Sequence, residues 1–310
     1  MNISRTRRQS GSDGFAVVAV LWIVGALAAL AAIYAAYIIN TTQAFAANDD
    51  RIRAGAAISS SLALTTYRLS TPKGETAPSQ GQFTFRLDRA NIAVTFTTDA
   101  ARIDLNAAPP PLLAGLFVAL GASAEQAKDY AARIVAWRSP PHGATQDDEV
   151  SLYRAAGLTY DPRQAPFAST AELWLVRGLP LQLVARALPY VTVFSGSAGI
   201  DLREAAPIVI AALPGMTPDR LAALLRQRQA DPQDDKALLA LLGPLQTEVA
   251  TAKSTATRVT VHIRFDDGRR VKAEAVIARA NDTNTPYRVL AWHDDLDGPM
   301  QSEQLDVALR

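Results

Sequence analysis

Residues 15–39 read FAVVAVLWIVGALAALAAIYAAYII and contain no charged side chain. As an α-helix these 25 residues would measure about 37 Å, enough to cross a hydrocarbon core of roughly 30 Å. The preceding stretch carries Arg5, Arg7 and Arg8 against Asp13. This bias places the N-terminus in the cytoplasm and the rest of the chain across the membrane. The run is too long for a signal-peptide core and no A-x-A cleavage site follows, so a retained anchor is predicted.

The composition excludes several classes of protein. The chain has 310 residues, 49% of them apolar, and no cysteine, which removes disulfides, thiolate metal sites, cysteine nucleophiles and thioether lipid anchors. The formal net charge is +1, and the loss of residues 1–14, with three arginines and one aspartate, would make it −1. This balance gives little electrostatic support for nucleic-acid binding.

The order of patterns predicts a helical domain inserted into a sheet. Residues 40–69 continue the first helix without proline. Alternating apolar residues then predict strands at 83–87 and 92–96, and again at 259–265, 271–278 and 287–292. Between these groups, residues 107–254 contain three helix–turn–helix units: 109–120 with 124–137, 170–176 with 180–188, and 205–213 with 218–228. We therefore expect an α+β fold in which residues 71–106 and 255–298 form one domain, flanked by helix 40–70 and a polar tail at 299–310.

The inserted region contains an internal repeat. Residues 103–109 read IDLNAAP and residues 200–207 read IDLREAAP. In each copy a short extended stretch ends at an aspartate, and proline lies near the first turn of a helix, where its fixed backbone angle is favourable. Capping boxes are predicted at Ser123 with Gln126 and at Ser169 with Glu172, and Thr217 is a predicted N-cap.

The junction between Gly14 and Phe15 resembles the class III leader of type IV prepilins and type II secretion pseudopilins. That resemblance implies cleavage after Gly14 by a prepilin peptidase and methylation of the new N-terminal Phe15. Most pilins have glutamate at the fifth mature position, where this chain has Ala19, which implies an unusual subunit such as the first or topmost one. An ordinary signal anchor with glycine before phenylalanine is the alternative.

The chain as a whole is similar to the minor pseudopilin K family of type II secretion systems (general secretion pathway protein K). The resemblance rests on the order of its motifs: IDLNAAP, FASTAEL at 167–173, PYVTVF at 189–194, ALPGM at 212–216 and YRVLAW at 287–292. The second helix start departs from the family, with Arg203 and Glu204 before Ala205. This departure weakens the inference that both helix starts have the same function.

The resemblance implies a pilin-like helix on an antiparallel sheet with a large inserted all-α domain of the SAM or helix-hairpin-helix kind. It implies an inner-membrane, single-pass protein with a periplasmic head at the pseudopilus tip, which helps to initiate assembly and export of folded proteins. Its partners would be other minor pseudopilins, the inner-membrane secretion platform and the prepilin peptidase, with secretin or exoproteins as further candidates. Small residues would pack helices together in lipid: Gly25, Ala28, Ala29, Ala32 and Ala36.

Other functions have weaker support. Helical hairpins can bind DNA through backbone amides, but the hairpins around Gly178 and Gly215 each have one glycine and few basic neighbours. No catalytic constellation is evident, so an enzyme is not expected, and no cofactor is predicted. Acidic loops could hold Ca²⁺ but match no EF-hand pattern. A minor type IV pilin is the alternative assignment nearest to this family.

The carboxylates and histidines considered as candidates for catalysis or metal binding are Asp147, Asp148, Glu149, Asp266, Asp267, Asp294, Asp295, His142, His262 and His293.

Overall fold

The computed structural model describes residues 13–70, 78–140, 145–231, 234–242, 254–280 and 286–294. Most of the predicted leader, and all of the predicted tail at 299–310, lie outside these residues. The chain divides into two compact units, Met1–Ala56 and Ala57–Arg310. The finer boundaries expected at 106/107 and 254/255 stay predictions.

The first element is one uninterrupted helix, α1 (Asp13–Leu69), of 57 residues. In the larger unit its buried residues include three hydroxyl side chains, and each of them bonds a carbonyl one turn earlier. Ser61 Oγ donates to Ala57 O (2.7 Å), and Thr65 Oγ1 donates to Ser61 O (2.8 Å). Thr66 Oγ1 donates to Leu62 O (2.9 Å). These bonds satisfy the buried hydroxyls without any partner outside the helix.

The main sheet is antiparallel and its strand order is β1-β2-β5-β6-β7. Its members are β1 (Gln80–Leu87), β2 (Ala90–Thr98), β5 (Ala256–Phe265), β6 (Arg270–Arg279) and β7 (Tyr287–Asp294). Strands β2 and β5 are neighbours in space although the helical region separates them in sequence. Their register runs from Ala90 opposite Phe265 to Thr98 opposite Thr257. The helical region is therefore an insertion between two paired strands, as expected from the sequence.

One face of this sheet is apolar and buried, with Ile92, Val94, Phe96, Val259, Val261 and Ile263 at 3% exposure or less. The last turns of α1 pack at one end of the sheet. The Arg68 guanidinium lies 4.4 Å from the centre of the Phe83 ring, and Arg279 donates to the Leu69 carbonyl. Burial of these alternate side chains is what fixes the register of the strands.

The insertion contains α2 (Pro110–Ala119), α3 (Ala124–Arg138), α4 (Thr145–Ala155), α5 (Leu181–Ala187), α6 (Pro207–Ala211), α7 (Pro218–Ala230) and α8 (Asp235–Leu242). Two-residue strands β3 (Ile103–Asp104) and β4 (Val191–Thr192) pair in parallel. A separate apolar core, with Leu112, Phe117, Ile134, Tyr153 and Val209 among its members, holds these helices together.

Several predicted elements differ in detail. In the PYVTVF motif, Val191–Thr192 form the short strand β4, and the helix predicted at 170–176 is a 3₁₀ helix at Thr170–Leu175. The Ser123–Gln126 capping box is present in full. At Ser169 the box is modified, because Ser169 Oγ accepts from Ala171 N (3.2 Å) while Glu172 Oε1 accepts from Ala168 N (3.1 Å). The tighter 3₁₀ turn brings a nearer amide to the serine.

Helices α2 and α6 approach most closely at Gly115, where an added Cβ would overlap the Ala212 carbonyl oxygen. We predict that Gly115→Ala lowers the free energy of unfolding by about 1–3 kcal/mol, because the backbone must shift to admit the methyl group. Thermal or urea unfolding measures this loss. Gly55→Ala is the matched control, since that helical glycine has nothing within 4 Å of the added carbon and alanine is the better helix former. Equal stability of the two variants would contradict the close approach.

Candidate functional site: the apolar helix and the paired helix starts

The apolar half of α1 is a candidate membrane span. Among the described residues, Val17–Ile38 is the helix long and apolar enough to cross a bilayer, with a mean hydropathy of 2.5. Its side chains are exposed, and Trp22 is 77% and Ile33 68% accessible. Such a surface in water would be costly, so it needs lipid or other helices around it.

The predicted small residues share one face of that span. Each of these residues has another of the set three or four positions away, which brings their side chains onto one side of a helix: Gly25, Ala28, Ala29, Ala32 and Ala36. All five are exposed, and a Cβ added at Gly25 would meet nothing within 4 Å. Ala19 is half-buried, and Gly14 and Phe15 lie within the helix, though their side chains are not described. Their roles in packing, cleavage and methylation stay predictions.

The first helix start is built around Asp104. Its Oδ1 accepts from Asn106 N (2.7 Å) and Ala107 N (3.3 Å), which closes the turn before α2. Its Oδ2 accepts from Gly196 N (2.7 Å) and Ser195 Oγ (3.1 Å). At the far end of α3, Arg138 donates to the Leu105 and Ala108 carbonyls at 2.5 and 2.8 Å. Burial lowers the pKa of Arg138, and Asp104 opposes that shift.

The second helix start repeats this geometry. Asp201 Oδ1 accepts from Arg203 N (2.9 Å), and the Ala205 amide donates to the Asp201 carbonyl (2.8 Å). At the end of α7, Arg228 donates to the carbonyls of Leu202 (3.4 Å) and Ala205 (2.6 Å). The internal repeat read from the sequence is thus a structural repeat of a turn, two helices and a returning arginine. Burial raises the pKa of Asp201.

The second residue after the aspartate makes different contacts in the two copies. In the first, Asn106 exchanges two hydrogen bonds with the Phe167 backbone: Phe167 N donates to Oδ1 (2.7 Å), and Nδ2 donates to Phe167 O (3.0 Å). In the second, Arg203 pairs with Asp235 at 3.2 Å. The FASTAEL segment is therefore clamped by the first helix start alone. The departure at Arg203 and Glu204 corresponds to a real difference in contacts.

A buried ionic junction, which the sequence analysis missed, joins the insertion to the sheet. Asp99, 1% exposed, accepts from Arg258 Nε (3.1 Å) and Nη2 (3.0 Å) and from the Thr192 hydroxyl. Arg258 Nη1 also donates to Glu274 at 2.5 Å. Burial acts to raise the pKa of Glu274, but Arg258 and Arg102 together hold it below its ordinary value. Arg258 and Asp99 are 159 residues apart, and no local pattern marks such a pair.

The hairpin around Gly178 is engaged within the fold. The Arg177 amide donates to the Tyr153 hydroxyl (3.0 Å), and Arg133 donates to the Arg177 carbonyl (3.0 Å). A Cβ added at Gly178 would overlap the Arg133 guanidinium. Because the Arg177 amide already has a partner, it is not open to contact phosphate in the way that the hairpin amides of helix-hairpin-helix proteins do.

The candidate catalytic and metal residues are dispersed. Asp266 pairs with Arg86 (2.7 Å), and Asp267 accepts from the Arg269 amide in the β5–β6 turn. His262 lies on β5, where burial and Lys272 lower its pKa. Among the described residues no group of three or more histidines and carboxylates could hold a metal. Asp295, His142 and the side chains of Asp147 and Asp148 lie outside the described residues, so the prediction of calcium in acidic loops stays a prediction.

Comparison with known proteins confirms the resemblance read from the sequence. Residues 91–196 match the family model described as type II secretion system (T2SS), protein K, first domain. This part of the chain is therefore similar to protein K of type II secretion systems. The matched residues include β2, the first helix start and the FASTAEL clamp.

Structural comparison supports the predicted fold class. The chain is similar to one in the crystal structure of the GspK-GspI-GspJ complex of the type 2 secretion system from enterotoxigenic Escherichia coli. The identity is 21% and the TM-score 0.59, over 78% of this chain and 94% of that one. At this identity the likeness shows the fold, and the α+β prediction is confirmed. No curated protein matches the chain.

The Asn106 clamp makes a testable distinction between the two helix starts. Asn106→Ala removes two hydrogen bonds to the partly buried Phe167 backbone, and we predict a loss of about 1–3 kcal/mol in the free energy of unfolding. Arg203→Ala at the equivalent place removes an ion pair whose two side chains are 24% and 39% exposed, and it should cost about 1 kcal/mol or less. Urea unfolding of both variants measures the difference. Similar losses would mean that the two copies are energetically equivalent.

Proposed function

We propose that this protein is the minor pseudopilin K of a type II secretion system, held in the inner membrane by α1 with its larger unit in the periplasm. The observation that carries this proposal is the protein K domain at residues 91–196 in a chain that also has the apolar helix Val17–Ile38. Three arginines before that helix favour a cytoplasmic N-terminus.

The proposed work is mechanical and needs no cofactor. A prepilin peptidase would cut between Gly14 and Phe15 and methylate Phe15. The apolar helix would first anchor the subunit in lipid and then pack against the helices of other pseudopilins. The small-residue face from Gly25 to Ala36 supports the second step, because small side chains let helix backbones approach closely where no hydrophobic force between helices operates.

The tip position is supported by two features. The insertion carries seven helices among the described residues, and a head of that size would obstruct the next copy if it were repeated along a fibre. Ala19 stands where most pilins have the glutamate that is thought to meet a neighbouring N-terminus. A subunit that lacks this group is suited to be first, because an unpaired carboxylate in lipid is costly and no neighbour stands above it.

The proposed partners are other minor pseudopilins. The similar chain comes from a complex of three such proteins, GspK, GspI and GspJ, and this supports an equivalent complex here. The inner-membrane platform would receive the subunit, and the head would be the part nearest to secretin or to an exported protein. In this role the chain helps to start pseudopilus assembly and the export of folded proteins.

N-terminal processing tests the proposal directly. We predict that protein purified from membranes begins at Phe15 and carries one additional methyl group, but only in cells with an active prepilin peptidase. Intact mass and N-terminal sequencing measure both. Gly14→Leu should abolish processing because the residue before the cut must be small, whereas Gly11→Leu in the same leader should leave it intact. A chain that begins at Met1 or Asn2 with and without the peptidase would contradict the pseudopilin assignment and favour an ordinary signal anchor.

A further inference from the structure

The outer face of the main sheet carries a row of cations in register. Arg86 lies opposite Asn91, Asn91 opposite Arg264, and Arg264 opposite Arg270. Directly paired residues of antiparallel strands share a face, and the four strands span about 14 Å at 4.8 Å per strand. In the adjacent row Lys272 lies opposite His262. Arg86, Arg264, Arg270 and Lys272 together are called the basic face below.

Only part of this charge is neutralised within the fold. Arg86 pairs with Asp266, but in the described parts of the chain no ion pair involves Arg264, Arg270 or Lys272. All three side chains are exposed. Arg264 and Arg270 are directly opposite each other, and like charges at such positions destabilise a sheet. A surface that retains this repulsion between two arginines is suited to bind an anionic partner.

The basic face lies at a defined end of the larger unit. Leu69, the last residue of α1, meets Arg279 at the end of β6, and Arg68 covers Phe83 near the start of β1. Arg270 and Lys272 are at the opposite end of β6, seven to nine residues from Arg279, which is about 23–30 Å along the strand. Leu69 therefore lies at one end of the sheet, and the basic face at the other.

The chain supplies its own nearby anionic surface if the proposed membrane anchor holds. The larger unit begins at Ala57 and the candidate span ends at Ile38. In sequence, residues 39–56 connect them. This covalent tether gives the basic face a high effective concentration near the bilayer, so that weak contacts suffice.

We propose that the basic face docks on the anionic phospholipid headgroups of the membrane that holds α1. This proposal rests on the proposed function for the membrane anchor. Clusters of arginine and lysine bind anionic leaflets, and each cation near the surface strengthens docking about fivefold. Docking would hold the unassembled subunit on the membrane, and the contact would be lost when the subunit leaves the bilayer for the pseudopilus.

Because the chain contains no cysteine, one introduced cysteine can be labelled specifically in the full chain. A fluorophore on Thr84→Cys, an exposed position in the row beside Arg86, would report energy transfer to headgroup-labelled lipid in nanodiscs. We expect stronger transfer in phosphatidylcholine–phosphatidylglycerol discs than in phosphatidylcholine discs. The gain should vanish in about 1 M salt, where the screening length is roughly 3 Å. Arg264→Gln/Arg270→Gln/Lys272→Gln should lower the docked-to-undocked ratio on the order of a hundredfold.

The matched control removes three exposed cations from the helical insertion: Arg186→Gln/Arg220→Gln/Arg226→Gln. This variant has the same net charge as the first triple variant and should keep the gain with phosphatidylglycerol. Equal transfer in the two kinds of disc, or equal losses in the two triple variants, would overturn the proposed docking. Stable insertion into phosphatidylcholine discs separately tests the anchor, so failure of docking and failure of the proposed function are distinguishable.

Discussion

The pairing of β2 with β5 is the constraint on which the larger unit depends. These strands are direct neighbours in the sheet, and β5 is its central strand, yet the whole helical insertion lies between them in sequence. The insertion must therefore leave and return at neighbouring points. The buried contact of Asp99 with Arg258 lies at this place, because Asp99 follows β2 and Arg258 lies near the start of β5. Loss of Arg258 would leave the buried Asp99 carboxylate without its guanidinium partner, whereas Arg258 would keep its pairing with Glu274 if Asp99 were lost.

Several junction contacts couple the insertion to the sheet. Thr192 on β4 donates to Asp99, the Asp201 amide donates to the Ala100 carbonyl at 2.8 Å, and Ser79 Oγ donates to Glu204 at 2.6 Å. Burial raises the pKa of Glu204. The second helix start thus contacts the segment that precedes the first one. Because these contacts supplement the two covalent connections, the helical insertion has less freedom to move relative to the sheet than a domain joined by two linkers alone.

The sequence was informative where the signal is local. The hairpin strands follow from alternation of apolar residues, and the turn at Asp266, Asp267 and Gly268 follows from turn chemistry, with Gly268 at φ 89°. The repeated IDL motif predicted two helix starts, which share one geometry. The junction of Asp99, Arg258 and Glu274 could not be predicted, since its members are distant in sequence and each resembles an ordinary surface charge. The sequence predicts a helix at 170–176, where the structure has a 3₁₀ helix at Thr170–Leu175, because a capping pattern does not distinguish a 3₁₀ turn from a longer helix.

The chain has two kinds of surface: an apolar one on the candidate membrane span and a polar one on the larger unit. The apolar side chains of Val17–Ile38 are exposed over the whole span, so this helix can exchange a lipid neighbour for another apolar helix at little cost. The larger unit instead has two internal cores and a polar outer sheet face, which carry no comparable drive for repeated stacking. A subunit built in this way can join a bundle of helices through its N-terminal half while its head remains a single, non-repeating structure. These two kinds of surface support the proposed role of a subunit that begins an assembly rather than one that forms its shaft.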